Sequence, residues 1–324
     1  MSKSKSFIVI STVIFIVFSS LFLLSWYNTS TKKNSTSNST NNLKILVSAS
    51  FYPLSEFTTQ VGGSLVEVKN ITPAGIEPHD FEPSSNDISD TYKSKLFIYN
   101  GSGLESWAEK LKPQIESEGV RVINMSSKFD LLKVDESADH AEQDGSHDNK
   151  YDPHIWVNPV LAAKKTRLIA DNLKEIDEKN SLSYEQNAQK YIQKLNELDN
   201  QFRLGLKNCS KKEVVVSHDF LGYLAKEYDF RSVYISGISP ESEPSSKELA
   251  EIVDVVKKRG IKFILAESLV SQKIVDTVAK ETGTQILTLN PLEGLSDKEI
   301  KSGKNYISVQ QENLKVLQKA MDCN

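Results

Sequence analysis

Apolar residues follow three different patterns along this chain. From Phe7 to Trp26 ("FIVISTVIFIVFSSLFLLSW") they run without a charge. At about 1.5 Å rise per residue, a helix of that length just spans a hydrocarbon core of about 30 Å. From Asn28 to Thr40 ("NTSTKKNSTSNST") there is no apolar residue, so the segment cannot bury a core and reads as a flexible tether. From Leu43 onward, short β-rich runs alternate with segments of helical period. "LKILVSAS", "SLVEVKNI", "KLFIYNG" and "VRVINMS" are predicted strands. "FYPLSEFTTQVGG", "PSSNDISDTYKS" and "LESWAEKLKPQIES" are predicted helices between them, the second opened by a serine N-cap signal. This order implies a parallel sheet with helices on both faces.

After Asn158 the pattern turns helical. "PVLAAKKTRLIADNLKEID" is one amphipathic helix. In the next, Tyr184, Ala188, Tyr191, Leu195, Leu198, Phe202 and Leu206 recur every three or four positions. That makes one apolar face about 33 Å long, enough to brace two lobes. A second series then begins. "EVVVSH", "FRSVYIS", "IKFILAES" and "TQILTLN" are its predicted strands, and "FLGYLAKEY", "SSKELAEIVDVVKKRG" and "SQKIVDTVAKETG" its helices. The expected fold is α/β: two βα lobes with mainly parallel sheets, joined by a long rigid helix, with a site in the cleft between them. The expected division is 1–27 as membrane anchor or signal and 28–42 as tether. The N-terminal lobe is 43–180 with an acidic loop at 134–152, the linking helix is 181–208, and the C-terminal lobe is 209–324.

Charge and composition narrow the function. Lys3 and Lys5 precede the first apolar run, which should keep the N-terminus in the cytoplasm and the bulk outside. The run is longer than the apolar core of a cleaved signal, about 7–15 residues, so an uncleaved anchor is expected. The net charge of −4 is mild, and no basic stripe points to nucleic acid. Cys209 and Cys323 are the only cysteines; in an oxidising exterior they could pair across a long loop. Sequons occur at Asn28, Asn34 and Asn38 in the tether and at Asn70, Asn100, Asn124 and Asn208 in the body.

The chain has five histidines. His79 stands in "GIEPHDFEP", where Pro78 and Pro83 favour an irregular loop. His154 stands in the proline-punctuated "DPHIWVNP", and His218 ends the strand "EVVVSH". In open α/β sheets ligands bind at the carboxyl ends of strands, so all three are expected at one cleft. Three neutral imidazoles suit zinc, and a fourth donor is then needed. Glu293, just past the last strand in "LTLNPLEGLS", is the candidate. Glu77, Asp80, Asp152 and Asp219 are near enough in sequence to orient the imidazoles. His140 and His147 lie in the acidic stretch "DESADHAEQDGSHDNKYD", which has no apolar period and reads as a loop.

"GIEPHDFEPS", "DPHIWVNP", "SHDFLGYLAKEY" and "LNPLEGL" resemble the signature segments of the zinc- and manganese-binding proteins of ABC transporters, the cluster A-I solute-binding proteins. They occur in that family's order and at its approximate separations, from about Leu43 to Cys323. The resemblance implies an extracytoplasmic monomer that captures a metal ion and delivers it to a membrane permease. It makes His79, His154 and His218 metal ligands, with Glu293 or a water as the fourth. In the manganese branch the third position resembles a carboxylate and the fourth an aspartate. Here His218 stands at the third and Asn290 near the fourth, and a nitrogen-rich set favours Zn2+ over Mn2+. Other expected possibilities are a manganese-binding homologue, a surface adhesin and, last, a zinc hydrolase. The chain is not expected to be an enzyme.

Overall fold

The structure, a computed structural model, describes residues 44–134, 150–267, 269 and 272–324. The apolar run 1–27, the tether 28–42, and His140 and His147 lie outside the described residues. Residues Leu43–Asn324 form one compact unit. No described helix is long and apolar enough to cross a membrane.

The first sheet holds β1 (Ile45–Ala49), β2 (Val66–Asn70), β3 (Leu96–Tyr99) and β4 (Arg121–Asn124). All pairs are parallel, in the order β2-β1-β3-β4. Helices α1 (Tyr52–Gly62), α2 (Ser85–Lys93) and α3 (Ser106–Ser117) make the crossovers. α2 begins where the serine signal predicts: Ser84 accepts from the Asp87 amide while the Asp87 side chain accepts from Ser84, a reciprocal capping box.

Two long helices follow, α4 (Pro159–Ile176) and α5 (Ser181–Gly205). Asn158 caps α4 through its side-chain oxygen. Tyr184, Ala188, Tyr191, Leu195, Leu198 and Phe202 of α5 are all buried, so the stripe legible in the sequence is a packing face. It joins the largest apolar core, which also takes in Val47 of the first sheet and Val216 of the second. The second sheet repeats the first. β5 (Glu213–Val216), β6 (Arg231–Tyr234), β7 (Phe263–Ala266) and β8 (Gln285–Thr288) lie parallel in the order β6-β5-β7-β8. Their crossover helices are α6 (Gly222–Tyr228), α7 (Ser246–Lys258) and α8 (Lys273–Thr282), the last stopped by Gly283 at φ 71°. The fold is therefore two parallel-sheet α/β lobes with a long helix between them.

Two helices complete the chain that the apolar pattern did not predict. α9 (Asp297–Lys301) is short, and α10 (Tyr306–Ala320) packs against α5. The buried face of α10 is interrupted by Gln310 and Asn313, which hides its period. Beyond α10, Cys323 forms a disulfide with Cys209, closing a loop with a sequence separation of 114. Closing a loop of that size removes unfolded-state entropy, worth about 4–5 kcal/mol on the chain-entropy model. Reduction, or Cys209→Ser with Cys323→Ser, is expected to lower unfolding free energy by about that amount. Denaturant titration with and without reductant measures it.

Candidate metal centre

Each sheet delivers side chains from the carboxyl ends of its strands. The loop after β2 carries His79 between Pro78 and Pro83. Its approach to the other lobe begins at a glycine. Gly75, at φ 75°, donates its amide to Leu295 O at 3.1 Å. A Cβ on Gly294 would stand 3.4 Å from Ile76 O, in van der Waals contact, so the two loops pass close to each other there. Within the loop, Glu77 accepts from the His79 amide at 3.1 Å.

His154 sits between β4 and α4, fully buried. Asp152 Oδ1 accepts from both its backbone amide and its Nδ1, each at 2.8 Å. His218 follows β5 and is also fully buried, and Glu267 follows β7. β5 and β7 are neighbours at the point where the strand order reverses, the expected ligand crevice of such a sheet. His218 Nδ1 donates to Glu267 Oε1 at 2.6 Å, and Ser217 donates to the same oxygen. Glu293 lies in the turn after β8. Leu292 beside it has a left-handed φ of 62°, a conformation that costs a leucine roughly 1–3 kcal/mol. Its amide is held by Asn290 Oδ1 at 2.7 Å. The strained turn places Glu293, 1% exposed, inside the cluster.

The four predicted side chains meet. His154 Nε2 lies 3.3 Å from His79 Nε2 and 3.3 Å from His218 Nε2. Glu293 Oε1 lies 3.5, 3.4 and 3.5 Å from the Nε2 atoms of His79, His154 and His218. These contacts are too long for good hydrogen bonds, and both Glu293 oxygens are buried without a hydrogen-bond partner among the described residues. Nδ1 of His154 and of His218 donates to a carboxylate, which fixes the tautomer and leaves the Nε2 lone pair pointing inward. Lone pairs and a carboxylate converging at such distances repel each other unless protons or a metal cation sit among them. Donors about 2.0–2.1 Å from a tetrahedral Zn2+ are separated by about 3.3–3.4 Å, so the observed edges match that geometry.

The electrostatics follow from the same arrangement. Burial works to lower the pKa of all three histidines. For His79 it prevails. For His154 the carboxylates of Asp152 and Glu293 outweigh it, and for His218 those of Glu267 and Glu293 raise the pKa well above its usual value. Burial pushes the Glu293 pKa up, but the three imidazoles hold it well below the ordinary carboxylate range. Burial and then the charge of Glu293 push Glu77 up to about 10, so Glu77 keeps its proton at neutral pH.

Of the four carboxylates expected to orient ligands, Asp152 does so directly and Glu77 holds the His79 backbone. Asp80 is exposed. Asp219 is raised to about 6 by burial and by the neighbouring charge of Asp152. Glu267 was not foreseen, although "IKFILAES" carries a glutamate just past its strand's carboxyl end, much as "EVVVSH" ends in a histidine.

A family model described as "ZnuA: Zinc-uptake complex component A periplasmic" matches residues 47–320. The chain is 37% identical to the zinc-binding lipoprotein AdcA of Streptococcus pneumoniae over 281 residues, covering 86% of this chain and 56% of that protein. It thus spans little more than half the length of that relative. It is 35% identical to the high-affinity zinc uptake system protein ZnuA of Bacillus subtilis, covering 86% of this chain and 88% of that one. Among solved structures, the Zn(II)-bound ZnuA-like domain of S. pneumoniae AdcA superposes with a TM-score of 0.74 at 36% identity, covering 86% and 99% of the two chains. The laminin-binding protein Lmb of Streptococcus agalactiae, titled a bifunctional protein with adhesin and metal transporting activity, does so with a TM-score of 0.75 at 36% identity, covering 86% and 99%.

Asp152→Asn and Glu267→Gln each remove the negative charge that holds a ring and replace one acceptor oxygen by an NH2 donor, without touching the cluster's centre. Each is expected to weaken divalent-metal binding by about 10–100-fold. Competition against a chelating dye measures this.

Proposed function

This chain belongs to the zinc-uptake complex component A family, and from that membership and the geometry of its cluster we propose that it captures Zn2+ outside the cytoplasm and delivers it to an ABC-type membrane permease. The family is one of solute-binding proteins, and the relatives AdcA and ZnuA are named for zinc binding and zinc uptake. The observation that carries the reading is the set of 3.3–3.5 Å edges joining three Nε2 atoms and one carboxylate oxygen. His79, His154, His218 and Glu293 are the proposed ligands. Three imidazoles and one carboxylate suit Zn2+ better than Mn2+, which favours more oxygen.

A zinc hydrolase keeps one coordination position open for water. Glu293 as fourth donor fills that position, which favours capture over catalysis. The adhesin reading draws on the likeness to Lmb and is compatible with metal capture by the same fold. The working unit is proposed to be a monomer of two lobes, 43–180 and 209–324, joined by the helix at 181–208. It would be held at the outer face of the membrane by the N-terminal apolar run.

The test is competitive metal titration of the full-length chain in detergent, wild type beside Glu293→Ala. One tight Zn2+ per chain is expected, not displaced by excess Mn2+. Glu293→Ala is expected to weaken it by more than about 100-fold, beyond the range for outer-shell partners. Tight zinc indifferent to Glu293→Ala would remove that residue from the ligand set and reopen the hydrolase reading. Manganese displacing zinc would reverse the metal assignment.

The pH dependence has a definite sign. In the metal-free protein His154 and His218 hold protons to higher pH than a free imidazole. Zinc must displace those protons, so affinity falls as pH falls through and below that range. The slope is about tenfold per pH unit for each proton displaced. Affinity measured at a series of pH values, with proton release followed in parallel, checks this.

A further inference from the structure

α10 carries three polar side chains on its buried face. Tyr306, Gln310 and Asn313, at i, i+4 and i+7, lie on one side of the helix and are 0%, 0% and 5% exposed. Polar groups in such positions cost stability unless each finds a partner, and each of these finds one in a loop that carries a proposed ligand. Tyr306 Oη donates to Trp156 O at 2.6 Å, and Gln310 Nε2 donates to Val157 O at 2.6 Å. Those carbonyls follow His154 by two and three residues. Asn313 Nδ2 donates to Asn290 O at 2.7 Å, and Asn313 Oδ1 accepts from the Asn290 amide at 3.0 Å. Asn290 precedes Glu293 by three residues. Asn313 Nδ2 also reaches Gln310 Oε1 at 3.3 Å. One unbroken hydrogen-bond chain therefore runs from the His154 loop through α10 to the Glu293 loop. Trp156 Nε1 joins the same two loops directly, donating to Pro291 O at 2.9 Å.

We propose that this face of α10 sets the separation between His154 and Glu293, making Gln310 and Asn313, with Tyr306, positioning residues for metal capture. The inference rests on the capture reading above. Its force comes from the tolerance of the site. Metal–ligand distances must hold within about 0.2 Å, while the two ligands stand on loops more than a hundred residues apart in sequence. A helix contacting both loops through backbone groups fixes their spacing whatever side chains those loops carry. The disulfide at Cys323 ties down the end of the chain just beyond this helix.

The test uses the full-length chain and its Asn313→Leu, Gln310→Met and Tyr306→Phe variants. Zn2+ affinity is read by chelator competition, site geometry by the visible absorption of the Co2+ form, and folding by the melting of the metal-free protein. Asn313→Leu and Gln310→Met are expected to weaken Zn2+ by about 10–100-fold, the range for groups that orient ligands, and to shift the Co2+ bands. Tyr306→Phe should do so less. A merely structural loss is separated by double-mutant cycles. The Asn313→Leu effect should largely vanish in a Glu293→Ala background, where the positioned ligand is gone, and persist in a His218→Ala background. Folded variants with wild-type affinity and unchanged Co2+ spectra would overturn the proposal, as would an equal penalty in both backgrounds. If Asn313→Leu fails to fold, Gln310→Met is carried through the same cycles. A wild-type chain without tight zinc would sink the capture reading itself; tight zinc in wild type and variants alike would sink only this inference.

Discussion

The arrangement that the rest of the molecule must support is unfavourable by itself. Three imidazole nitrogens and a carboxylate oxygen lie with neighbouring donors 3.3–3.5 Å apart, three of the four residues buried and His79 partly so. Their lone pairs repel each other, and burial strips each of hydration. Such a cluster persists only if the surrounding structure over-determines it. A cation at the centre turns every one of those repulsions into an attraction. On the capture reading, the conformation that is costly without the ion is the one that the ion would stabilise, which would give tight capture a physical basis.

Over-determination comes from several directions. Asp152 and Glu267 fix two rings by their Nδ1 atoms. The left-handed Leu292 aims Glu293. A Cβ on Gly222 would stand 2.4 Å from Asp152 Oδ2, so the second lobe's α6 can pack against the first lobe's ring-holding carboxylate only without a side chain there. Beneath these local devices, the apolar face of α5 gives both sheets a common core. The proposed ligands come from loops, but the loops stand on the carboxyl ends of parallel strands whose order is the same in both lobes.

Much of this was legible in the sequence because it depends on local chemistry. The alternation of β-rich and helical runs, the long stripe from Tyr184 to Phe202, and the placing of His79, His154, His218 and Glu293 at strand ends or in proline-marked loops all follow from period and punctuation. What was missed depends on tertiary partners. Glu267 looks like an ordinary strand-end glutamate until β7 is set beside β5. Asp80 is as close to His79 in sequence as Glu77, yet the loop turns it to solvent. α10 escaped notice because Gln310 and Asn313 break its apolar period, and they do so because their partners are carbonyls and an amide far away in sequence.

The spacing of ligands along the chain suggests a division of two per lobe, with the ion drawing the lobes together. The hydrogen bonds qualify that picture. Gly75 to Leu295, Trp156 to Pro291 and Tyr223 to Asp152 all cross between the lobes, and none uses a ligand's donor atom. The lobes are therefore joined by contacts that do not require the ion. An ion entering such a site spends little of its binding free energy on closing the protein, which is how preorganisation raises affinity. On the capture reading, release would be helped by an agent that breaks those interlobe contacts. A permease that gripped both lobes would have the leverage to do so.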